Sequence, residues 1–263
     1  MATVSDSKRR AIIYLFSLIM GVIGGFVAVA LRYSIRFFEY IFRDVLLPII
    51  SIQVGSLNLG YIFLPAIGGL IAGIIINRYA VETKGSGIPE ILEATALRAG
   101  NIPKRVGLIK FLVVSITIGS GGSSGREGPI AMIGASMGSL FGTLLHLKPQ
   151  EKRLLMTCGL AAGISGSFDA PIGGALFGLE ILYQGGSLLG GVPVFISSVI
   201  GTAIAGAFFG HNPVFAINFE LEVISAFEYV LFIITGIIFG LIAFVWVKYF
   251  YWTQAQYGKL KMP

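Results

Sequence analysis

Apolar stretches separated by short polar or glycine-rich breaks organise this chain. The first covers residues 11–30, and a helical pattern continues through Phe38 and beyond. That exceeds the ~20 residues a perpendicular membrane span needs, so a strongly tilted helix is expected. Residues 61–76 predict a second span. A polar link over 78–85 then leads into a helix from Pro89 to about Leu97, too short to cross a bilayer and carrying Glu90 and Glu93. Residues 106–117 are apolar, and the small-residue run 119–125 follows them. Another helix opens at Arg126-Glu127-Gly128-Pro129 and lasts to about Leu145. Two compact segments, 154–165 and 171–183, are broken at Phe168-Asp169-Ala170, where Asp169 is expected to N-cap the second. A span over 194–209 and a long one over 229–251 complete the series. The pattern predicts an all-α integral membrane protein with tilted and broken helices.

A repeat lies within this pattern. Setting Tyr14 on Tyr229 aligns Gly21 with Gly236, Gly25 with Gly240 and Ala28 with Ala243. Matching apolar residues mean little in membrane helices, but two glycine pairs and a tyrosine pair at one offset mean more. Secondary transporters are often built from repeated halves with the ion site between them. The expected organisation is a cytoplasmic segment 1–10, a first membrane repeat 11–222, and the first helix of a second repeat over 223–263.

Composition agrees with the bilayer as solvent. Charged residues make up 12% of the 263 positions and hydrophobic residues 55%, and the mean hydropathy is +0.86. Soluble domains carry roughly 25% charge. The 36 glycines suit close helix packing and non-helical backbone around a cavity. The net charge of +6 does not imply nucleic acid, because the basic residues lie between apolar runs. Lys8, Arg9 and Arg10 place the N-terminus in the cytoplasm, and Arg78, Lys84, Arg98, Lys104 and Arg105 return to that side two spans later. Arg32, Arg36 and Arg43 lie towards the outer side, where a tilted helix end lets them snorkel. A single cysteine, Cys158, excludes an internal disulfide and any multi-cysteine metal site. No metal or cofactor is expected.

The candidate chemistry sits at two glycine-rich helix starts, Gly85-Ser86-Gly87-Ile88-Pro89 and Gly125-Arg126-Glu127-Gly128-Pro129. The first N–H groups of a helix have no intrahelical partner, and the macrodipole makes that end positive. Two such ends aimed at one cavity can hold an anion without a full positive charge. Pro89 and Pro129 give up an N–H that was orphaned in any case. The Ser86 hydroxyl offers a further donor. The bland alternative is two structural breaks joining packed helices. Lys110 is a lysine in an apolar run, which calls for an anion path, a carboxylate or a route to the surface.

These two motifs resemble the N-terminal signatures of the CLC family of chloride channels and H+/Cl− transporters. Lys110-Phe111 lies between them at the family's spacing, and the block from Ala170 to Glu180 resembles the family's next conserved segment. The resemblance extends from about residue 11 onward and implies an inverted-repeat fold, of which this is the N-terminal half. It implies chloride as the transported ion, with Ser86 donating to a central chloride, Gly85 facing an inner site, and N–H groups around Arg126 and Glu127 facing an outer one. Glu127 would be the gate, its carboxylate competing with chloride for the same donors. Serine at 86 is similar to the chloride-preferring members.

One position departs from the proton-coupled pattern. Those members carry a glutamate one place after Glu180, and Ile181 stands there instead. This favours a channel over an antiporter. The resemblance also implies a homodimer in the cell membrane, with a second half supplying further walls of each pore. Without it, this chain would be an inactive half requiring a complementary one. A rival from another class is a rhomboid-like intramembrane serine protease, since Gly163-Ile164-Ser165-Gly166 and Gly122-Ser123-Ser124-Gly125 fit G-x-S-G and His211 lies downstream. Such an enzyme needs serine and histidine within hydrogen-bond reach.

Overall fold

The structure, a computed structural model, describes residues 4–55, 57–183, 188–211 and 225–259. Helices dominate. Helix α1 (Val4–Tyr40) passes through a π-helical segment (Ile41–Leu46) into α2 (Leu47–Ile50), so the expected long first helix continues to residue 50. A two-residue antiparallel pair, Gln53–Val54 with Leu57–Asn58, turns the chain. Helix α3 (Gly60–Tyr79) follows, then α4 (Ile88–Leu97), α5 (Lys104–Gly119) and α6 (Glu127–Leu144). Helices α7 (Pro149–Phe168), α8 (Pro171–Leu182), α9 (Leu188–Phe209) and α10 (Phe227–Lys259) complete the described elements.

The chain divides into two compact units, residues 1–214 and 215–263. The expected boundary at 222/223 lies outside the described residues. Stretches 11–50, 60–79, 191–209 and 227–259 are long and apolar enough to cross a membrane. In the first unit, α6 and α7 are buried almost throughout, and Ile130, Ala131, Met156 and Leu160 form the centre of the main core. Around them α1 and α9 pack through small residues. A side chain on Gly21 would meet Ile200 Cβ at 2.8 Å, and one on Gly25 would meet Ile204 Cβ at 2.9 Å. Such contacts drive helix association where lipid supplies no hydrophobic force. By contrast Tyr61, Ile62, Phe63, Leu70 and Ile74 of α3 are exposed, which suits a face turned to lipid. Among the described residues every buried side-chain N or O atom has a hydrogen-bond partner, as a low-dielectric interior requires. Among its described residues the second unit holds helix α10, whose sequence is apolar around its circumference from Tyr229 to Val247.

Two local expectations are corrected. Helix α7 begins at Pro149, five residues before the apolar segment, because Pro149 occupies its first turn and the Glu151 carboxylate accepts the Lys148 N–H at 3.1 Å. Asp169 does not N-cap α8. Ala170 holds that position, and Asp169 ends α7 in the left-handed conformation, φ 53°. Its carboxylate bonds His211 Nδ1 at 2.8 Å instead.

Candidate anion site at two converging helix starts

Backbone geometry at Gly85-Ser86-Gly87 fixes the first half of the site. Gly85 and Gly87 adopt φ +89° and +111°, conformations that side-chain-bearing residues rarely reach. The turn presents Ser86 to the exterior and starts α4 at Ile88, with Pro89 in the first turn. Two charges brace it from behind. Lys110 is buried rather than snorkelling, and its ammonium donates to Thr83 O at 3.0 Å and Gly85 O at 2.7 Å. On the other side the Glu90 carboxylate curls beneath Gly85 and accepts the Gly87 N–H at 2.9 Å. Ahead of the turn, a backbone N–H and the Arg105 guanidinium, 2.7 Å away, hold the Glu82 carboxyl below its usual range. One orphan donor of the α4 start is therefore already met by Glu90, a role that an acid three residues after a helix start signals.

The second half opens at Gly125. Arg126 precedes α6, Glu127 is its first residue, and Pro129 lies in its first turn. Glu127 is exposed and its carboxylate folds back onto Gly125. It forms no ion pair with Arg126 among the described residues. The Arg126 guanidinium stacks 5.0 Å from the centre of the Phe168 ring.

The two motifs meet. A side chain on Gly87 would come within 2.8 Å of Gly128 O and 2.9 Å of Met132 Cβ, and one on Gly128 would strike the Ser86 carbonyl. Only paired glycines allow this backbone contact, so both helix starts converge with Ser86 and Glu127 exposed beside it. The expected motif residues, Gly85 through Pro89 and Gly125 through Pro129, thus form one locus, with Lys110 behind it. Gly128→Ala should destabilise the fold by about 1–3 kcal/mol, the usual cost of overpacking. Gly73→Ala is the control, since nothing lies within 4 Å of that position. Thermal melts in detergent should show a large fall for the first and none for the second.

The remaining sequence candidates fall outside this locus. Glu180 is exposed, while Ile181 is half-buried against the main core. Cys158 is a buried core residue. Ser165 is buried and its hydroxyl donates to Ser198 O at 2.8 Å, whereas His211 bonds Asp169. The described residues therefore contain no Ser165–His211 pair.

Converging helix starts within a set of membrane-crossing helices define the broken-helix transporters and channels, which use backbone dipoles at bilayer depth. The chain belongs to the Voltage gated chloride channel family, whose pattern matches residues 68–263. A provisionally named ClcB-like chloride channel protein of Ralstonia nicotianae is 32% identical over 184 residues, 68% of this chain and 43% of that protein. The H(+)/Cl(-) exchange transporter ClcA of Yersinia pseudotuberculosis is 28% identical over 260 residues, 97% of this chain and 53% of that one. Among solved structures, a slow cyanobacterial Cl-/H+ antiporter superposes with a TM-score of 0.65 at 26% identity, covering 88% of this chain and 53% of the other. The chain spans about half the length of the curated relatives it matches, which fits the family's N-terminal half. It is an all-helical membrane protein of the CLC fold.

Proposed function

We propose that this chain forms one wall of a chloride pathway, with Ser86 lining it and Glu127 as its gate. The observation that carries the reading is the contact of Gly87 with Gly128, which brings two positive helix ends to one place and leaves a hydroxyl and a carboxylate beside them. N–H groups and a hydroxyl desolvate a halide at low cost, while a carboxylate competes for the same donors. Lys110 adds a positive charge behind the Gly85 turn and holds that turn's shape.

Conduction is channel-like on this reading, because Ile181 cannot carry a proton at the position of the inner glutamate. The antiporter is the second reading, favoured by the likeness to proteins described as H(+)/Cl(-) exchange transporters. No chemical transformation is involved; the activity is transport rather than catalysis. The working unit is a homodimer in the cell membrane with the N-terminus in the cytoplasm, each pore completed by a complementary half. Chloride flux from liposomes, with and without an imposed pH gradient, tests the reading in such an assembly. Ser86→Ala removes the donor without moving the backbone, so it should change the permeability ranking of chloride, bromide and nitrate while protein yield holds. Identical relative permeabilities would take Ser86 out of the pathway.

A further inference from the structure

On the other side of Arg126 lies a cavity of about 170 Å³ that the Ser86–Glu127 site does not use. Its walls come from α1, the ends of α7 and α9, and Arg126 itself. Arg32 and Arg126 both line it, each held against an aromatic ring. Arg32 lies 4.2 Å from the centre of the Phe209 ring, and Arg126 5.0 Å from that of Phe168. Neither guanidinium donates a hydrogen bond to, or forms an ion pair with, any described residue. Among the described residues no partner takes their N–H donors, which each guanidinium presents in a rigid fork.

Charge points the same way. Arg126 feels the like charge of Arg32 and the opposite charge of Glu127, and Arg36 stands 5.9 Å from the same Phe209 ring. The acidic residue in the wall, Asp169, bonds His211 at 2.8 Å. In the described lining two arginines thus face one carboxylate, which His211 already engages. Two like charges on one cavity repel, and an anion between them turns that repulsion into two attractions. The volume is far above the ~10–15 Å³ one water needs, so an anion can enter with part of its hydration shell. Two guanidiniums against one carboxylate leave one positive charge in the described lining, which suits a monovalent anion.

We infer that the Arg32–Arg126 cavity is a second anion site, binding a halide through guanidinium N–H groups rather than helix-start amides. It does not rest on the role of Ser86. Its position beside Glu127 raises the anion concentration next to that residue, as basic clefts do.

Bromide anomalous diffraction from crystals of the full chain tests this. Wild type should show a peak between Arg32 and Arg126, at a place distinct from Ser86. Arg32→Met should lower bromide affinity there about tenfold or more, as losing hydrogen bonds from a charged group does. Arg32→Lys keeps the charge and should retain a weaker peak, and Phe209→Leu, which removes the supporting ring, should weaken it while leaving the charge intact. Should Arg32→Met fail to fold, the latter two variants carry the test. No peak in wild type, or an equal peak in all variants, would overturn the inference whatever is found at Ser86.

Discussion

Glu127→Gln should abolish most of the pH dependence of chloride flux in a complete assembly while leaving conduction intact. The carboxylate sits at the first position of α6 and is exposed beside the Gly87–Gly128 contact. Ionised, it is a tethered anion. A unit charge about 4 Å from a chloride opposes it by about 4 kcal/mol at an effective dielectric of about 20. Protonation removes that opposition, so acid should open the pathway and rising pH should close it. Glutamine has nearly the shape of the protonated acid and cannot ionise, so the variant should behave at every pH as wild type does in acid. Flux into liposomes across a pH series reads this directly, and a wild-type slope surviving in Glu127→Gln would remove Glu127 from the gate. Proton movement is a separate readout. With Ile181 packed against the core in place of an inner carboxylate, a chloride gradient should drive little uphill proton transport. Stoichiometric proton pumping would establish the antiporter instead.

Helix positions were legible because bilayer depth imposes long apolar runs and glycine or proline marks each break. Helix α5, α6 and α9 lie within a few residues of the apolar segments that announce them. Helix α7 starts five residues before the expected segment 154–165, because Gln150 to Arg153 are polar and do not extend its apolar run. Yet Pro149 and Glu151 together are a start signal. That both glycine motifs start helices was legible in their sequences; that Gly87 touches Gly128 was not, because the contact depends on how α4 packs on α6. Lys110 stood out as a costly charge, but its acceptors are backbone carbonyls, which no side-chain pattern reveals. Asp169 misled for a related reason. A cap is a local prior, and a histidine 42 positions away took its carboxylate.

The purified chain should give no selective chloride flux until a complementary half is supplied. Ser86, Gly85, Gly125 and Glu127 are all exposed in the first unit, so the polar backbone of both helix starts lies at its surface. In water such groups are solvated. At bilayer depth an unsatisfied N–H or C=O costs several kcal/mol, by order of magnitude, so the surface must be covered by protein or flooded by water. Flooding removes selectivity, because a halide that keeps its full hydration shell is not sorted by donors it never touches. The family's second half is the fitting cover, and α10 carries Gly236 and Gly240 at the spacing by which Gly21 and Gly25 of α1 receive α9. Liposome flux should therefore be near background for this chain alone and rise when a second-half polypeptide is co-reconstituted. Gly236→Leu should weaken that rescue, since it places a bulky side chain on the small-residue seam. Robust, chloride-selective flux from residues 1–263 alone would show that the wall is already complete and refute the half-pore reading.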